Sequence, residues 1–220
     1  MDLTAIWLTL QLATATTVIL AAVGLPLAYW LAMTPWRGKF FVEAIVALPL
    51  VLPPTVVGFY VLIATGPYSP VGSAYEAATG QRLAFSFPGI LVGSLLCNLP
   101  FTVRPFLAAF QSLNRRLVEA AWCLGESGWR TFWRVALPLS WPGILGGLVL
   151  TFAHTVGEFG VVLMVGGNIP GVTRTLSIAI YDDVEALDYA SAGRTSLLLL
   201  VFAIGMLSLA QKLGQRRMPA

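Results

Sequence analysis

Five stretches of this 220-residue chain, at approximately 5–33, 40–65, 87–111, 137–165 and 190–213, stay apolar for at least 24 residues each. At ~1.5 Å of rise per residue, each is longer than the ~30 Å hydrocarbon core of a bilayer. A continuous run of that length satisfies its backbone hydrogen bonds in lipid by coiling into a helix. The expected fold class is therefore all-α, a polytopic membrane protein of about five transmembrane helices forming a single transmembrane domain over 1–220. Composition agrees: 57% of residues are hydrophobic and 10% charged, against roughly 25% charged in a soluble domain. The opening "MDLTAIWLTLQL" carries Asp2 and lacks a basic n-region. The apolar run behind it is too long for a signal sequence, so it reads as a retained span.

The basic residues sort by side. Arg37 and Lys39 lie between spans one and two, Arg115, Arg116, Arg130 and Arg134 between three and four, and Lys212, Arg216 and Arg217 after the last. The opposite side holds only Arg82, Arg174 and Arg194, beside Asp2, Glu76, Asp182, Asp183, Glu185 and Asp188. The positive-inside rule then predicts an external N-terminus and a cytoplasmic C-terminus, with the chain in the cytoplasmic membrane. The net charge of +3 follows from this sorting and not from a continuous basic face, so nucleic acid is not an expected partner. Cys97 and Cys123 are too few and too far apart for a disulfide framework or a metal site.

Prolines interrupt the apolar runs. Span two reads "LPLVLPPTVVGF", with Pro49, Pro53 and Pro54, and span three contains Pro100 and Pro105. Each removes a helical hydrogen bond, and broken backbone in lipid is tolerated only where protein or water satisfies it. Either these spans line a polar pathway, with Pro53 and Pro54 at its wall, or the prolines are ordinary packing kinks.

Residues 113–134 are too polar to span. "LVEAAWCLG" combines good helix formers with Gly125 at a C′ position. "ESGWRTFWRVALP" then groups Trp129, Phe132 and Trp133 with Arg130 and Arg134 before Pro138. The pattern predicts two short helices joined by a glycine bend at the membrane interface, the alternative being a merely amphipathic interfacial loop. The segment holds no catalytic constellation. Gly38-Lys39 lacks the upstream glycine of a phosphate-binding loop and is followed by Phe40, so this chain does not cradle nucleotide.

Glu119-Ala120-Ala121, Gly125 and the closing Val135-x-Leu137-Pro138 resemble the EAA loop of permease subunits of ABC-type importers, departing only in Val135 for Ile. "LPLVLPPTVVGFYVLIATGP" and "GEFGVVLMVGGNIPGVTRTLSIAIYDD" resemble the molybdate permease branch, with sulfate/thiosulfate and tungstate permeases as near relatives. The resemblance implies the type I importer permease fold and a cytoplasmic coupling-helix pair. It further implies a homodimer, two cytoplasmic ATPase subunits holding ATP and Mg, and an extracytoplasmic oxyanion-binding protein, with no cofactor or metal in this chain. The ATPase-coupling residues implied are Glu119, Ala120, Ala121, Gly125, Leu137 and Pro138.

A dianion cannot cross hydrocarbon unaided, so any such cargo needs a water-filled cavity. Asn98 and Thr102 in span three are candidate neutral donors near the membrane middle, and Asn168, in the outer turn "GGNIPGVTRT", is a candidate for a gate or a docking surface, or else part of a plain surface turn. Arg104 either attracts the anion or snorkels to the interface, and Glu43 reads as interfacial. His154 and Glu158, four apart, are expected to share a helical face and satisfy each other; a lone histidine does not make a metal site. An ion-gradient-driven secondary transporter is the rival class, but it calls for paired intramembrane acids and inverted repeats. Five spans do not halve, and the acids are sparse.

Overall fold

The computed structural model describes residues 2–215. The basic pair Arg216 and Arg217 lies outside them. Helices α1 (Leu3–Met33), α5 (Phe87–Gln111) and α11 (Tyr189–Gln215) run unbroken through spans one, three and five. Each starts where the chain supplies a cap. Asp2 Oδ1 accepts the amides of Thr4 and Ala5 at 3.0 and 3.1 Å, Ser86 accepts Gly89 N at 3.3 Å, and Asp188 accepts Ser191 N at 3.1 Å. Pro100 and Pro105 sit inside α5 without ending it. In span three the prolines are accommodated within a continuous helix.

Span two behaves differently. It divides into α2 (Lys39–Val51) and α3 (Pro54–Thr65), bent by 110°. The cause is two successive prolines: each pushes the residue before it out of the helical region. Leu52 therefore takes ψ 138° and Pro53 ψ 136°, and two consecutive extended residues turn the chain. The expected single rod over 40–65 is thus corrected to an elbowed pair.

Span four is also corrected. After α8 (Leu137–Val156) the chain breaks at Gly157–Phe159 and resumes as the short α9 (Gly160–Gly166). The expected run to 165 fails because Gly157 ends α8 and Phe159 departs from helical geometry. Two connecting helices, α4 (Pro70–Thr79) and α10 (Leu176–Glu185), were not anticipated. By length and composition, four helices can cross a membrane, and α2–α3 makes a fifth crossing if counted as one span. Among the described residues there is no strand.

α5 is the hub. Half of its apolar window is buried, against 11% for α11, and it packs along α1, α2, α3, α8 and α9. One core, around Leu31, Val46, Phe106, Phe110, Phe132 and Ile144, lies toward the end where Arg115 and Lys39 cap the last carbonyls of α1. A second, around Leu12, Val61, Ile90, Val161, Val165 and Ile178, lies toward the opposite end. There a small cavity gathers Asp2, Arg174, Asp183 and Arg194. The charge sorting read from the sequence is thus a sorting between the two ends of the bundle.

Lipid gives helices no hydrophobic reason to associate, so close backbone approach over small residues takes its place. α3 and α9 run side by side in the same direction, with Gly160 against Pro54 and Gly58 against Met164. A Cβ on Gly58 would sit 2.8 Å from Met164 Cβ and 3.2 Å from the Val161 backbone, leaving no room to yield. Gly58→Val is therefore expected to destabilise the bundle by roughly 1–3 kcal/mol of overpacking, read as a lowered melting temperature in detergent. Gly193→Ala, in open space, is the control and is expected not to lower it.

Candidate functional site

Two features stand out, an elbow at one end of the bundle and a polar knot where the broken spans meet.

The elbow begins at α6 (Arg115–Cys123), capped by Asn114 Oδ1 on Arg116 N at 3.1 Å. It ends in a Schellman turn: Gly125 N donates to Trp122 O at 2.9 Å and Glu126 N to Ala121 O at 3.0 Å. Gly125 takes φ +83° there, a conformation that costs a side-chain-bearing residue ~1–2 kcal/mol. The short α7 (Gly128–Thr131) follows, and a π-helical turn, Phe132–Ala136, carries it directly into α8. The second helix of the anticipated pair is therefore the start of span four, not a separate element. Phe132 and Ala136 of the π turn both face inward. Phe132 packs edge-on to Tyr29 at 4.9 Å, and Tyr29 to Phe110 at 5.4 Å.

Of the residues singled out in the sequence, Glu119, Ala120, Gly125 and Pro138 lie on the open surface, while Ala121 is buried and Leu137 half-buried. The outer face also exposes Leu117, Trp122, Leu124 and Trp129. Glu126 bridges Arg134 at 2.9 Å and Arg130 at 4.0 Å. Exposed pairs of this kind contribute about 0–1 kcal/mol, so the aromatic anchor holds the elbow more than the ion pairs do.

The knot lies between α5, α1 and the break after α8. Glu158 is buried and accepts from Ser94 Oγ at 2.5 Å and Asn98 Nδ2 at 3.1 Å. Thr16 Oγ1 donates to Ser94 Oγ at 3.2 Å, and Asn98 Nδ2 also reaches Ser94 O at 2.9 Å. The remaining Asn98 atom, Oδ1, faces His154 Nδ1 at 2.9 Å. His154 and Glu158 thus do not satisfy each other across one helical face as expected. α8 ends between them, and Asn98 joins them.

Asn98 and Thr102 are fully buried. The Asn98 amide is committed to Ser94 and Glu158, and Thr102 to Asn98 O and Thr151, so neither has a donor left for a cavity. Asn168, at φ +57°, donates to both carboxylate oxygens of Asp182 at 2.9 and 3.0 Å, and Arg174 pairs with the same carboxylate. That triad ties the outer turn to α10. Arg104 is exposed and lines a cavity of about 250 Å³ with Glu43 and Gln111.

Beside the knot lies a cavity of about 480 Å³, walled by both broken spans: Pro49, Leu52, Pro54 and Thr55 from one, His154 and Gly157–Gly160 from the other. Pro54 lines this cavity, and Pro53 is not among its lining residues. Ser94, Thr16 and Thr151 were missed, although Ser94, Asn98 and Thr102 repeat at helical spacing on α5, and Thr151 and Thr155 on α8. That stripe was a legible signal.

The sequence profile described as "Binding-protein-dependent transport system inner membrane component" matches residues 24–218. The chain is 51% identical over 191 residues to the "Molybdenum transport system permease protein ModB" of Azotobacter vinelandii, covering 87% of this chain and 84% of that one. It is 32% identical to the "Probable sulfate transport system permease protein cysT" of Chlorella vulgaris, over 90% of this chain and 74% of that one. Among solved structures, an inward-facing form of the MetNI methionine ABC transporter superposes with a TM-score of 0.75 at 18% identity, covering 96% and 93% of the two chains. At that identity the likeness concerns the fold.

Removing the central amide tests the knot. Asn98→Leu leaves Glu158 and His154 each short of a partner, and an unmet buried polar group costs ~1–3 kcal/mol. A lower melting temperature in detergent is expected; an unchanged one would show that the amide is not needed to hold the break.

Proposed function

The chain belongs to the binding-protein-dependent transport system inner membrane components, and from that premise we propose that it is the permease subunit of an ATP-driven importer of molybdate. The observation that carries the substrate is the 51% identity, over most of both chains, to a molybdenum transport permease. Two copies form the pathway between them. An oxyanion-binding protein delivers cargo at the acidic end, which faces outward together with the N-terminus. Two ATPase subunits, holding ATP and Mg, grip the basic end in the cytoplasm. This chain moves the cargo without hydrolysing ATP itself.

The geometry supports a lever. Glu119, Ala120 and the exposed aromatic face of the elbow offer a docking surface to the ATPase. α7, the π turn and α8 form one continuous rod from that surface to the cavity, about 30 Å along the 20 residues of α8. Closure of the ATPase dimer displaces the elbows, and α8 carries the displacement to the break at Gly157. This is rigid-body switching between inward- and outward-facing states.

The sulfate-permease resemblance supports a second reading with the same mechanism and a different cargo. Proteoliposomes holding the permease, its ATPase and its binding protein separate the two. Molybdate is expected to stimulate ATP hydrolysis and uptake well beyond sulfate, with tungstate close to molybdate; equal responses to sulfate would remove the substrate assignment.

Gly125→Pro deletes the amide that closes the Schellman turn and forbids its φ, and Glu119→Lys reverses the exposed charge. Both are expected to abolish uptake or release the ATPase while leaving membrane insertion intact. Wild-type uptake by both variants would remove the coupling role.

A further inference from the structure

Resting on the oxyanion reading above, we infer that His154 is the contact for the transported anion within the membrane, presenting Nε2 to the cavity in a tautomer set by Glu158 through Asn98. The order of hydrogen bonds dictates the tautomer. Glu158 Oε1 and Ser94 O are acceptors, so the Asn98 nitrogen must face them, at 3.1 and 2.9 Å. Asn98 is therefore left with its oxygen toward the imidazole, 2.9 Å from Nδ1. Nδ1 then carries the proton, and Nε2 is the ring position without a protein partner.

The ring is also held in place. Phe101 stacks on it at a centroid distance of 3.8 Å and an interplanar angle of 23°. His154 lines the 480 Å³ cavity between the two broken spans. Of the residues lining that cavity, the others that titrate are Glu158, which acts through Asn98, and Cys97 on α5. α2, α3 and α9 contribute none. Among the described residues no Lys or Arg lines it, and the imidazole is the lining side chain able to take up a positive charge.

The chemistry is conditional. With Nδ1 carrying the only ring proton, Nε2 presents a lone pair that repels an anion. When an oxyanion enters together with a proton from bulk solvent, that proton goes to Nε2, which donates it in a hydrogen bond to an anion oxygen, while Nδ1–H stays on Asn98. Glu158, behind the amide, fixes the orientation of Asn98 without touching the cargo. Glu158 and Asn98 are thus positioning residues, and His154 is the contact. When the anion leaves, the proton returns to water and the site no longer holds an anion strongly. A pathway needs that property, because tight binding would slow release.

The chain has a single histidine, which makes the test direct. Permease labelled with [15N]histidine and purified without a polyhistidine tag is assembled with unlabelled ATPase in lipid, and molybdate is added on both sides. The Nε2 resonance is expected to move from the pyridine-like to the pyrrole-like region with molybdate and not with chloride at equal ionic strength. Glu158→Gln is expected to mix the two tautomers before any anion is added. In uptake assays, His154→Gln is expected to lose about tenfold or more, as for loss of a charged hydrogen bond, while His154→Arg, whose charge is permanent, is expected to bind molybdate more tightly and turn over more slowly than wild type. An imidazole indifferent to molybdate in vesicles that accumulate it overturns this inference alone. Wild-type vesicles that accumulate no oxyanion overturn the transport reading, and this one with it.

Discussion

In hydrocarbon, a backbone amide or carbonyl without a partner costs several kcal/mol, yet this bundle opens its backbone twice within its apolar runs. The two openings face each other across the 480 Å³ cavity, and backbone groups at each find partners nearby. At the first, Pro53 O accepts from Val56 N and Val57 N. At the second, Gly157 N and Glu158 N turn back onto His154 O and Thr155 O, and Ser177 Oγ of α10 donates to Val156 O. α10 is itself started by Thr9 of α1, whose Oγ1 accepts Leu176 N at 2.8 Å.

The same requirement shapes the side chains. Thr9, Thr65, Thr102, Thr151 and Thr155 each return a hydroxyl hydrogen bond to the carbonyl four residues back. These hydroxyls are thereby satisfied within their own helices. Glu158 is the exception that needs outside help, and it takes that help from α5. Its burial ties the broken span to the central helix and leaves the neighbouring cavity without a fixed positive charge. A cavity of that kind suits a cargo that must enter and also leave.

The elbow answers to a different demand, since it must be firm where it meets the bundle and open where it faces away. Phe132 seated against Tyr29 and Phe110 meets the first, and the exposed Leu124, Trp129 and Glu119 meet the second. Phe132 and Ala136 of the π turn both reach the core, and the rod into α8 stays continuous. Free-standing π geometry is rare in helices and recurs at functional sites.

What the sequence by itself determined is set by local physics. Hydropathy over more than 24 residues dictates crossings, the Lys and Arg positions sort the two ends, and Gly125 after a run of helix formers dictates a left-handed helix stop. The double proline at Pro53–Pro54 was legible as a perturbation of span two, because its sterics act on adjacent residues, but the sequence still read that span as one rod. What only the tertiary structure decided depends on partners distant along the chain. The break at Gly157 turns a nominal (i, i+4) pair into two residues joined by Asn98, some 60 positions away. The commitment of Asn98 and Thr102 to neighbours, the 110° bend and the merging of the elbow into α8 likewise arise where helices meet. Sequence periodicity reports which face of a helix is polar; only packing determines which distant group that face will meet.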